Sequence, residues 1–231
     1  MRGPVVGNFL HDQMEWLTGE GFALASVAST ESAEEPVAGD DADGFAEPQQ
    51  AEQSASDKLE KRLLRRCERS GLKDQASDVL QWLRAAVHQP LLPVPLTLAE
   101  LGQSNALLAE MEFWLPAQKL SAQRIDALCR QFIAPGMDRP VLPQRELHGM
   151  LMGFADLVFC VEDRYWVLDY KTNHLGVDGN AYQPEALLKA MLAHRYDVQA
   201  ALYLLALHRL LRSRLAEAYA PEQHLGGALF F

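Results

Sequence analysis

The stretch from Gly149 to Gly176 reads GMLMGFADLVFCVEDRYWVLDYKTNHLG, and it predicts a β-hairpin. Apolar, aromatic and β-branched residues form two runs, Gly153 to Val161 and Tyr165 to Lys171, as is typical of strands. Glu162-Asp163-Arg164 separates the runs and predicts the turn. Both strands are apolar enough to be buried on at least one face, so we expect this hairpin at the centre of the fold.

Charged side chains interrupt these apolar strands. Asp156 lies in the first strand, and Asp169, Tyr170 and Lys171 close the second. Alternation along a strand puts Asp169 and Lys171 on one face and Tyr170 on the other. Because buried carboxylates are costly unless paired or bound to a cation, the two aspartates and the lysine indicate a site for a hard divalent cation. The alternative is structural: Asp156 caps a turn or pairs with an arginine, and Asp169 pairs with Lys171.

Length and composition fit a globular protein with one sizeable core. The chain has 231 residues, of which 48% are hydrophobic. No run of 18 apolar residues occurs, so no bilayer span is expected, and the N-terminus lacks the features of a secretory signal. The three cysteines, Cys67, Cys129 and Cys160, are widely spaced. They favour a reducing, cytoplasmic location without a disulfide framework, a zinc site or an iron–sulfur cluster.

The net charge of -10 argues against a nucleic-acid partner only at first sight, because the acidic residues are unevenly distributed. Residues 28–57 are rich in Ser, Ala, Glu, Asp, Gly, Pro and Gln and contain no Lys or Arg. This composition predicts a disordered acidic insert. Without the acidic residues of this segment the formal charge would be about -1, so a local basic groove remains compatible with the composition.

Apolar residues at helical spacing predict helices on both sides of the insert. The first runs from about Asn8 to Thr18 and carries His11, which as a structural residue would be a half-buried helix histidine. The second runs from Asp57, its expected N-cap, to Arg69. Its basic residues form either a solvated face or a contact with phosphates or a partner; they are Lys58, Lys61, Arg62, Arg65, Arg66 and Arg69. A third helix is expected from Asp74 to Val87.

The segments around the hairpin add further elements. Residues 106–116 alternate as a strand, with Glu110 and Glu112 on one face, and residues 121–132 have helical spacing. A long helical stretch covers residues 185–219, with a break expected near Asp197. A last strand starts at residue 228 and stops with the chain at residue 231, so we expect a fragment whose terminal strand is cut short.

Three of these residues share one face of the long helical stretch. Tyr196, Gln199 and Tyr203 follow one another at i, i+3 and i+7.

The pattern H…E…GFxDLV…VLDYKxN…YDxQxxxYxLALHR resembles the nuclease domain of RecB-type subunits of exodeoxyribonuclease V, within the PD-(D/E)XK nuclease superfamily. A bare D…DxK pattern is weak evidence, because such triplets occur often by chance. The resemblance, however, extends from GNFLH at residues 7–11 to HLGG at residues 224–227, and only the acidic insert lies outside it.

The resemblance implies an α/β fold with a central mixed β-sheet flanked by helices, as in restriction endonucleases. It divides the chain into four parts. Residues 1–27 hold the N-terminal helix of the nuclease domain, and residues 28–57 the acidic insert. Residues 58–105 form a helical subregion, and residues 106–231 form the nuclease core.

The resemblance also implies the site residues. Asp156 and Asp169 match the metal-binding carboxylates of the family, Lys171 its catalytic lysine, and His11 a further metal ligand. Glu110 matches the upstream catalytic glutamate.

A second group of matching residues concerns DNA. Gln199 and Tyr203 match a QxxxY element that lies beside the metal site and helps to hold DNA, and Tyr170 is a further candidate for DNA binding. The structural alternative for Gln199 and Tyr203 is a helix face packed on the sheet.

The implied cofactor is Mg²⁺, a hard cation that prefers oxygen ligands, with Mn²⁺ as the alternative because it accepts a histidine more readily. No ATP site is expected in this chain, since it contains no G-x-x-x-x-G-K-[ST] loop. Lys171 is expected to position the attacking water and to offset charge in the transition state.

The implied activity is hydrolysis of single- and double-stranded DNA during recombinational repair of double-strand breaks, without a helicase motor in this chain. The implied partners are DNA and the RecC and RecD subunits, with RecA loading as a further role and no membrane. The alternative function is an idle nuclease-fold module that docks partner subunits.

Overall fold

The computed structural model describes residues 4–26, 48–104 and 106–231. These residues form eight α-helices and one four-stranded mixed sheet, which confirms the predicted α/β class. The helices are α1 (Pro4–Gly19), α2 (Pro48–Arg69), α3 (Ala76–Val87), α4 (Leu98–Gly102), α5 (Ala122–Phe132), α6 (Pro184–Ala193), α7 (Tyr196–Leu215) and α8 (Pro221–His224). The strands are β1 (Leu107–Ser121), β2 (Glu146–Val161), β3 (Arg164–Asp169) and β4 (Leu225–Phe230). Within the described residues, none of the helices combines the length and the apolar composition that crossing a bilayer requires.

The chain divides into two compact units, Met1–Leu107 and Leu108–Phe231. The first contains α1 to α4, whose apolar residues recur at helical spacing and point into one core. In α2 this buried stripe is Leu59, Leu63 and Cys67. Other side chains of the core are fully or almost fully buried: Met14, Leu17, Phe22, Val79, Leu83, Leu98 and Leu101.

The predicted boundaries of the first two helices need correction. Helix α1 is longer at both ends than residues 8–18, and α2 begins at Pro48, so Asp57 lies inside the helix and is not its N-cap. Proline is tolerated in the first turn of a helix, and the Ala, Gln and Glu residues that follow are good helix formers. Residues 28–47 of the predicted insert lie outside the described residues, and residues 48–57 belong to α2.

The second unit is built on the sheet, whose strand order is β1-β2-β3-β4. The predicted hairpin is present: β2 and β3 are antiparallel, with Val161 opposite Arg164. The two residues between them, Glu162 and Asp163, both have positive φ (51° and 61°), as a two-residue type I′ turn requires. Strand β2 starts at Glu146, earlier than predicted, and β3 ends at Asp169, two residues earlier.

The long helical stretch is interrupted, as predicted, although the break falls just before Asp197. Helix α6 ends at Ala193, and Arg195 adopts a left-handed conformation (φ 59°) before α7 begins at Tyr196. Helix α7 packs its apolar side against the sheet, and β4 pairs in parallel with β3. The core between them comprises Met111, Ala155, Val158, Val167, Tyr203, Ala206, Leu207 and Leu211.

A buried ion-pair network fixes the first turn of α7. The side chains of Arg139 and Asp197 are fully buried, and Arg139 Nη1 donates to Asp197 Oδ2 at 2.8 Å. Arg195 donates to the other Asp197 oxygen at 3.0 Å and pairs with Asp126 at 2.7 Å. Burial raises the pKa of Asp197, but its bonds to Arg195 and Arg139 outweigh burial and hold that pKa below its ordinary value.

Arg139→Met should therefore lower the free energy of unfolding by about 3 kcal/mol, because it leaves the buried Asp197 carboxylate with one arginine instead of two. Urea unfolding at neutral pH measures this. The difference from wild type should shrink as the pH falls below about 4, since a carboxylate with a lowered pKa loses its stabilising charge as it becomes protonated. Arg130→Met is the control, because Arg130 is one-third exposed, and its loss should cost less than about 1 kcal/mol. Equal losses in the two variants would contradict this account.

Candidate active site

The hairpin brings the two predicted carboxylates together. Leu157 is paired with Leu168, so the same register continued by one residue puts Asp156 opposite Asp169. Residues directly opposite in an antiparallel pair project from the same face of the sheet. The Oδ2 atom of Asp156 accepts a hydrogen bond from the backbone N–H of Tyr170 at 2.7 Å, which ties it to the residue that follows Asp169. The central expectation from the sequence, convergence of Asp156 and Asp169, therefore agrees with the geometry.

Asp169 is the buried member of the pair, with 4% of its surface exposed. Its Oδ1 atom accepts hydrogen bonds from the Tyr203 hydroxyl at 2.5 Å and from Gln199 Nε2 at 2.9 Å. Its Oδ2 atom forms an ion pair with Lys171 Nζ. The carboxylate is thus held by two donors from α7 and one cation from the end of its own strand.

The hydroxyl of Tyr203 has one proton and two acceptors within reach, Asp169 Oδ1 and the backbone oxygen of Phe154 at 2.9 Å. The carboxylate oxygen is closer and charged, so it accepts the hydrogen bond from the Tyr203 hydroxyl. Burial and the neighbouring Asp169 carboxylate raise the pKa of Tyr203 well above its ordinary value, and Asp156 adds a smaller effect in the same direction. Tyr203 is therefore a neutral donor at any physiological pH.

Lys171 is held by aromatic rings as well as by Asp169. Its Nζ atom lies 4.3 Å from the ring centroid of Tyr196 and 5.5 Å from that of Phe230, and these rings stack on each other. The Tyr196 hydroxyl in turn donates to Asn173 Oδ1 at 2.9 Å. Aromatic faces attract a cation, so this packing restricts the ammonium to the neighbourhood of the carboxylates. Sequence reasoning placed Tyr196 on the correct helix face but missed its contact with Lys171, and it gave no indication for Phe230.

Glu110, which is predicted for the site, and its neighbour Glu112 are exposed on β1. Glu110 has a positive φ of 48°, which interrupts the alternation of the strand. Glu112 accepts a hydrogen bond from Trp114 at 2.9 Å. In the described part of the chain, neither glutamate joins the two aspartates in a group of three ligands within 4.8 Å of one another. The catalytic role of Glu110 stays a prediction.

Tyr170 and Tyr203 are both buried, with 4% of their surface exposed. Tyr170 packs its ring edge-to-face on Phe231, with centroids 6.5 Å apart. Such burial favours supporting roles for the two tyrosines over direct contact with a ligand, while Gln199 is only half buried. Their assignment to DNA binding stays a prediction.

His11 belongs to the first unit, where it is half buried on α1. Its Nδ1 atom lies 3.3 Å from Glu15 Oε1 on the next turn. Together with Asp12, these residues form a group of three ligand atoms that lie within 4.8 Å of one another. The role of His11 as a metal ligand in the site of the second unit stays a prediction.

The donor set of the second unit fits a hard divalent cation. Asp156 and Asp169 supply two carboxylates, whereas Lys171 supplies one positive charge, so the three side chains carry a formal charge of -1 in a partly buried setting. The Oδ2 atom of Asp169 is buried, and its partner among the described residues is the Lys171 ammonium. Oxygen ligands with excess negative charge are what Mg²⁺ and Mn²⁺ prefer.

Comparison with known proteins agrees with this geometry. A sequence profile of the PD-(D/E)XK nuclease superfamily matches residues 1–226, and the chain belongs to that superfamily. The D-x-K part of this name occurs here as Asp169-Tyr170-Lys171 at the end of β3, and the aspartate of its first part as Asp156 on β2, which follows Ala155 rather than a proline.

Within the superfamily the chain matches the RecB subunit of RecBCD enzymes. It is 45% identical to RecB of Escherichia coli K12 over 165 residues, which are 71% of this chain and 14% of that subunit. It is 33% identical to RecB of Haemophilus influenzae over 151 residues, which cover 64% of this chain and 12% of that protein. RecB of Buchnera aphidicola from Acyrthosiphon pisum is 28% identical over 156 residues, 67% of this chain and 13% of its own length. The chain thus spans only a small part of the length of these relatives.

Tyr203→Phe should lower the free energy of unfolding by about 1.5–3 kcal/mol, because it removes a buried hydrogen bond to the charged Asp169. Guanidinium unfolding measures this difference. Tyr182→Phe is the matched control, since Tyr182 is exposed and its hydroxyl forms only long, exposed hydrogen bonds with residues 174–176 among the described residues, so its loss should have an effect within about 0.5 kcal/mol. A Tyr203→Phe protein as stable as wild type would show that this hydrogen bond does not hold the site together.

Proposed function

We propose that this chain is a Mg²⁺-dependent deoxyribonuclease domain that hydrolyses phosphodiester bonds in single- and double-stranded DNA. In this proposal it works within a RecBCD-type enzyme in recombinational repair of double-strand breaks. The observation that carries the proposal is the cluster of Asp156 within β2 with Asp169 and Lys171 at the end of the paired strand β3. Membership of a nuclease superfamily and the similarity to RecB support it.

In the proposed mechanism, Asp156 and Asp169 hold the cation through their carboxylate oxygens, and Mn²⁺ can replace Mg²⁺. When bound, the cation polarises the phosphoryl oxygen and lowers the pKa of a water molecule. The hydrogen bonds from Tyr203 and Gln199 keep Asp169 in one orientation, as outer partners of metal ligands do.

Lys171 supplies the positive charge of the proposed site. Its ammonium lies beside Asp169, where it would stabilise negative charge that develops on the phosphate and orient the attacking water. The rings of Tyr196 and Phe230 keep the ammonium in place. Glu110 completes the proposed catalytic set, and His11 is the proposed further metal ligand.

The proposed partners follow from the RecB relatives. DNA would be held beside the cation by Gln199, with Tyr203 and Tyr170 supporting it from within the fold. The RecC and RecD subunits would supply the rest of the assembly, and RecA loading is a further proposed role.

Asp169→Ala should lower Mg²⁺-stimulated cleavage of single-stranded DNA by about 10²–10³-fold or more, because it removes one of the two carboxylates proposed to hold the cation that stabilises charge on the reacting phosphate. Release of acid-soluble nucleotides measures the rate, and circular dichroism checks the fold. Asp178→Ala is the control, since this exposed aspartate caps a short turn outside the cluster and should leave activity unchanged. If wild type and Asp169→Ala both fold and show the same residual rate, the chain is an idle module and the proposal fails.

His11→Ala should reduce cleavage about 10–100-fold while leaving helix content unchanged, if His11 is a ligand rather than a packing residue. Part of the loss should be recovered at high Mg²⁺ concentration. His148→Ala is the matched control, because His148 is exposed and its ion-pair partner among the described residues is the exposed Glu146. Loss of helix content together with activity would identify His11 as a structural residue instead.

A further inference from the structure

Helix α2 presents a row of arginines that the proposed active site does not use. Arg62, Arg65, Arg66 and Arg69 are spaced i, i+3, i+4 and i+7, so they share one face, which we call the arginine face. On another side of the helix lie the buried residues Leu59, Leu63 and Cys67. The helix is therefore anchored in the first unit by its apolar side and exposes its guanidinium groups.

Trp16 of α1 organises this face. Its ring lies 5.1 Å from the Arg62 guanidinium carbon and 4.7 Å from that of Arg66. Trp16 and the four arginines line a cleft of about 210 Å³, and none of the described residues of its lining is a carboxylate. The tryptophan thus orients two of the guanidinium groups, since they pack against its π face.

Most of the charge in this cleft is not neutralised. Arg62 pairs with Glu20 at 2.7 Å. Arg66 donates to the neutral amide oxygen of Gln13 at 2.5 Å. Arg65 and Arg69 form no ion pair with any residue that the structure describes. Asp12 lines an adjoining cleft with Arg66 and Arg69, and it is the only carboxylate among the lining residues that the structure describes.

This arrangement is unfavourable for the helix by itself. Arg62 and Arg66 are like charges at i and i+4, and so are Arg65 and Arg69, and such pairs destabilise a helix. An anion bound along the face would relieve the repulsion. From Arg62 to Arg69 the helix advances about 10 Å, which is long enough to contact more than one phosphate of an extended strand.

We propose that the arginine face and Trp16, on helices α2 and α1 of the first unit, bind the phosphodiester backbone of single-stranded DNA. The proposal rests on the proposed function in so far as DNA is the substrate. Guanidinium groups match phosphate oxygens in paired hydrogen bonds. An acidic protein partner fits less well, because the cleft offers only arginines and one tryptophan already covered by them, without the apolar anchors that protein interfaces require.

The test measures how tightly the whole chain binds a fluorescently labelled oligothymidylate. Fluorescence anisotropy reports the binding over a range of salt concentrations, and EDTA removes metal ions so that no DNA is cleaved. The double variant Arg65→Gln/Arg69→Gln should bind about tenfold more weakly at low salt, and the slope of log K against log salt should decrease by about 1.4, or 0.7 for each lost phosphate contact. Both side chains are exposed and unpaired among the described residues, so the fold and Tm should not change.

The matched control is Arg212→Gln/Arg214→Gln, which removes the same charge from exposed positions at the end of α7. It should bind like wild type. If both double variants have the same affinity and slope, the proposal is wrong and only net charge matters. Tighter, Arg65- and Arg69-dependent binding of polyglutamate than of DNA would also overturn it, since the surface would then fit an acidic protein.

The two proposals can fail separately, because this assay contains no metal ion and measures no cleavage. If the wild-type chain cleaves DNA but both double variants bind it equally well, the nuclease proposal stands and the proposed role of the arginine face is wrong. If binding depends on Arg65 and Arg69 but the chain cleaves no DNA, the proposed role of the arginine face stands and the nuclease proposal is wrong.

Discussion

Burying the carboxylate of Asp169 at the end of β3 is unfavourable unless its charge is compensated, and the second unit supplies three compensating groups. Two are donors on successive turns of α7, Gln199 and Tyr203, and the third is the Lys171 ammonium. Each bond to a charged acceptor is stronger than one between neutral groups, and in a buried setting it depends on accurate placement of the donor. The position of α7 on the sheet therefore determines whether the Asp169 carboxylate receives the hydrogen bonds that compensate its buried charge.

Buried ion pairs in turn fix the position of α7. The first turn of α7 is held by Asp197, whose carboxylate binds Arg139 and Arg195 inside the protein. The body of the helix packs its apolar side on the sheet, where Gly153 leaves room for the Phe113 ring that contacts Tyr203 edge-to-face at 5.8 Å. A side chain at Gly153 would overlap this ring. Packing and buried ion pairs together thus deliver two donors to one carboxylate oxygen.

Local sequence was sufficient for some of these features. The hairpin could be predicted because its strands are apolar and its turn is polar, and Asp156 and Asp169 could be paired because alternation sets which face they occupy. The shared face of Tyr196, Gln199 and Tyr203 followed from helical spacing. These inferences rely on neighbours within a few positions of the chain.

Other features depend on contacts that no local pattern reveals. Arg139 lies in a proline- and glycine-containing loop, and nothing nearby indicates that it pairs with a carboxylate 58 positions away. The contact of Phe230 with Lys171 arises only because β4 pairs with β3. Helix α2 begins before Asp57, although Asp57 has the features of an N-cap, because capping preference is weaker than the continuation of the helix.

The most direct test of the central claim is calorimetric titration of Mn²⁺ or Mg²⁺ into wild type, Asp156→Asn and Asp169→Asn. If the two aspartates form one cation site, wild type binds the ion and each substitution weakens binding by about tenfold or more at unchanged secondary structure. Undiminished affinity in both folded variants would show that the ion binds elsewhere and would contradict the account.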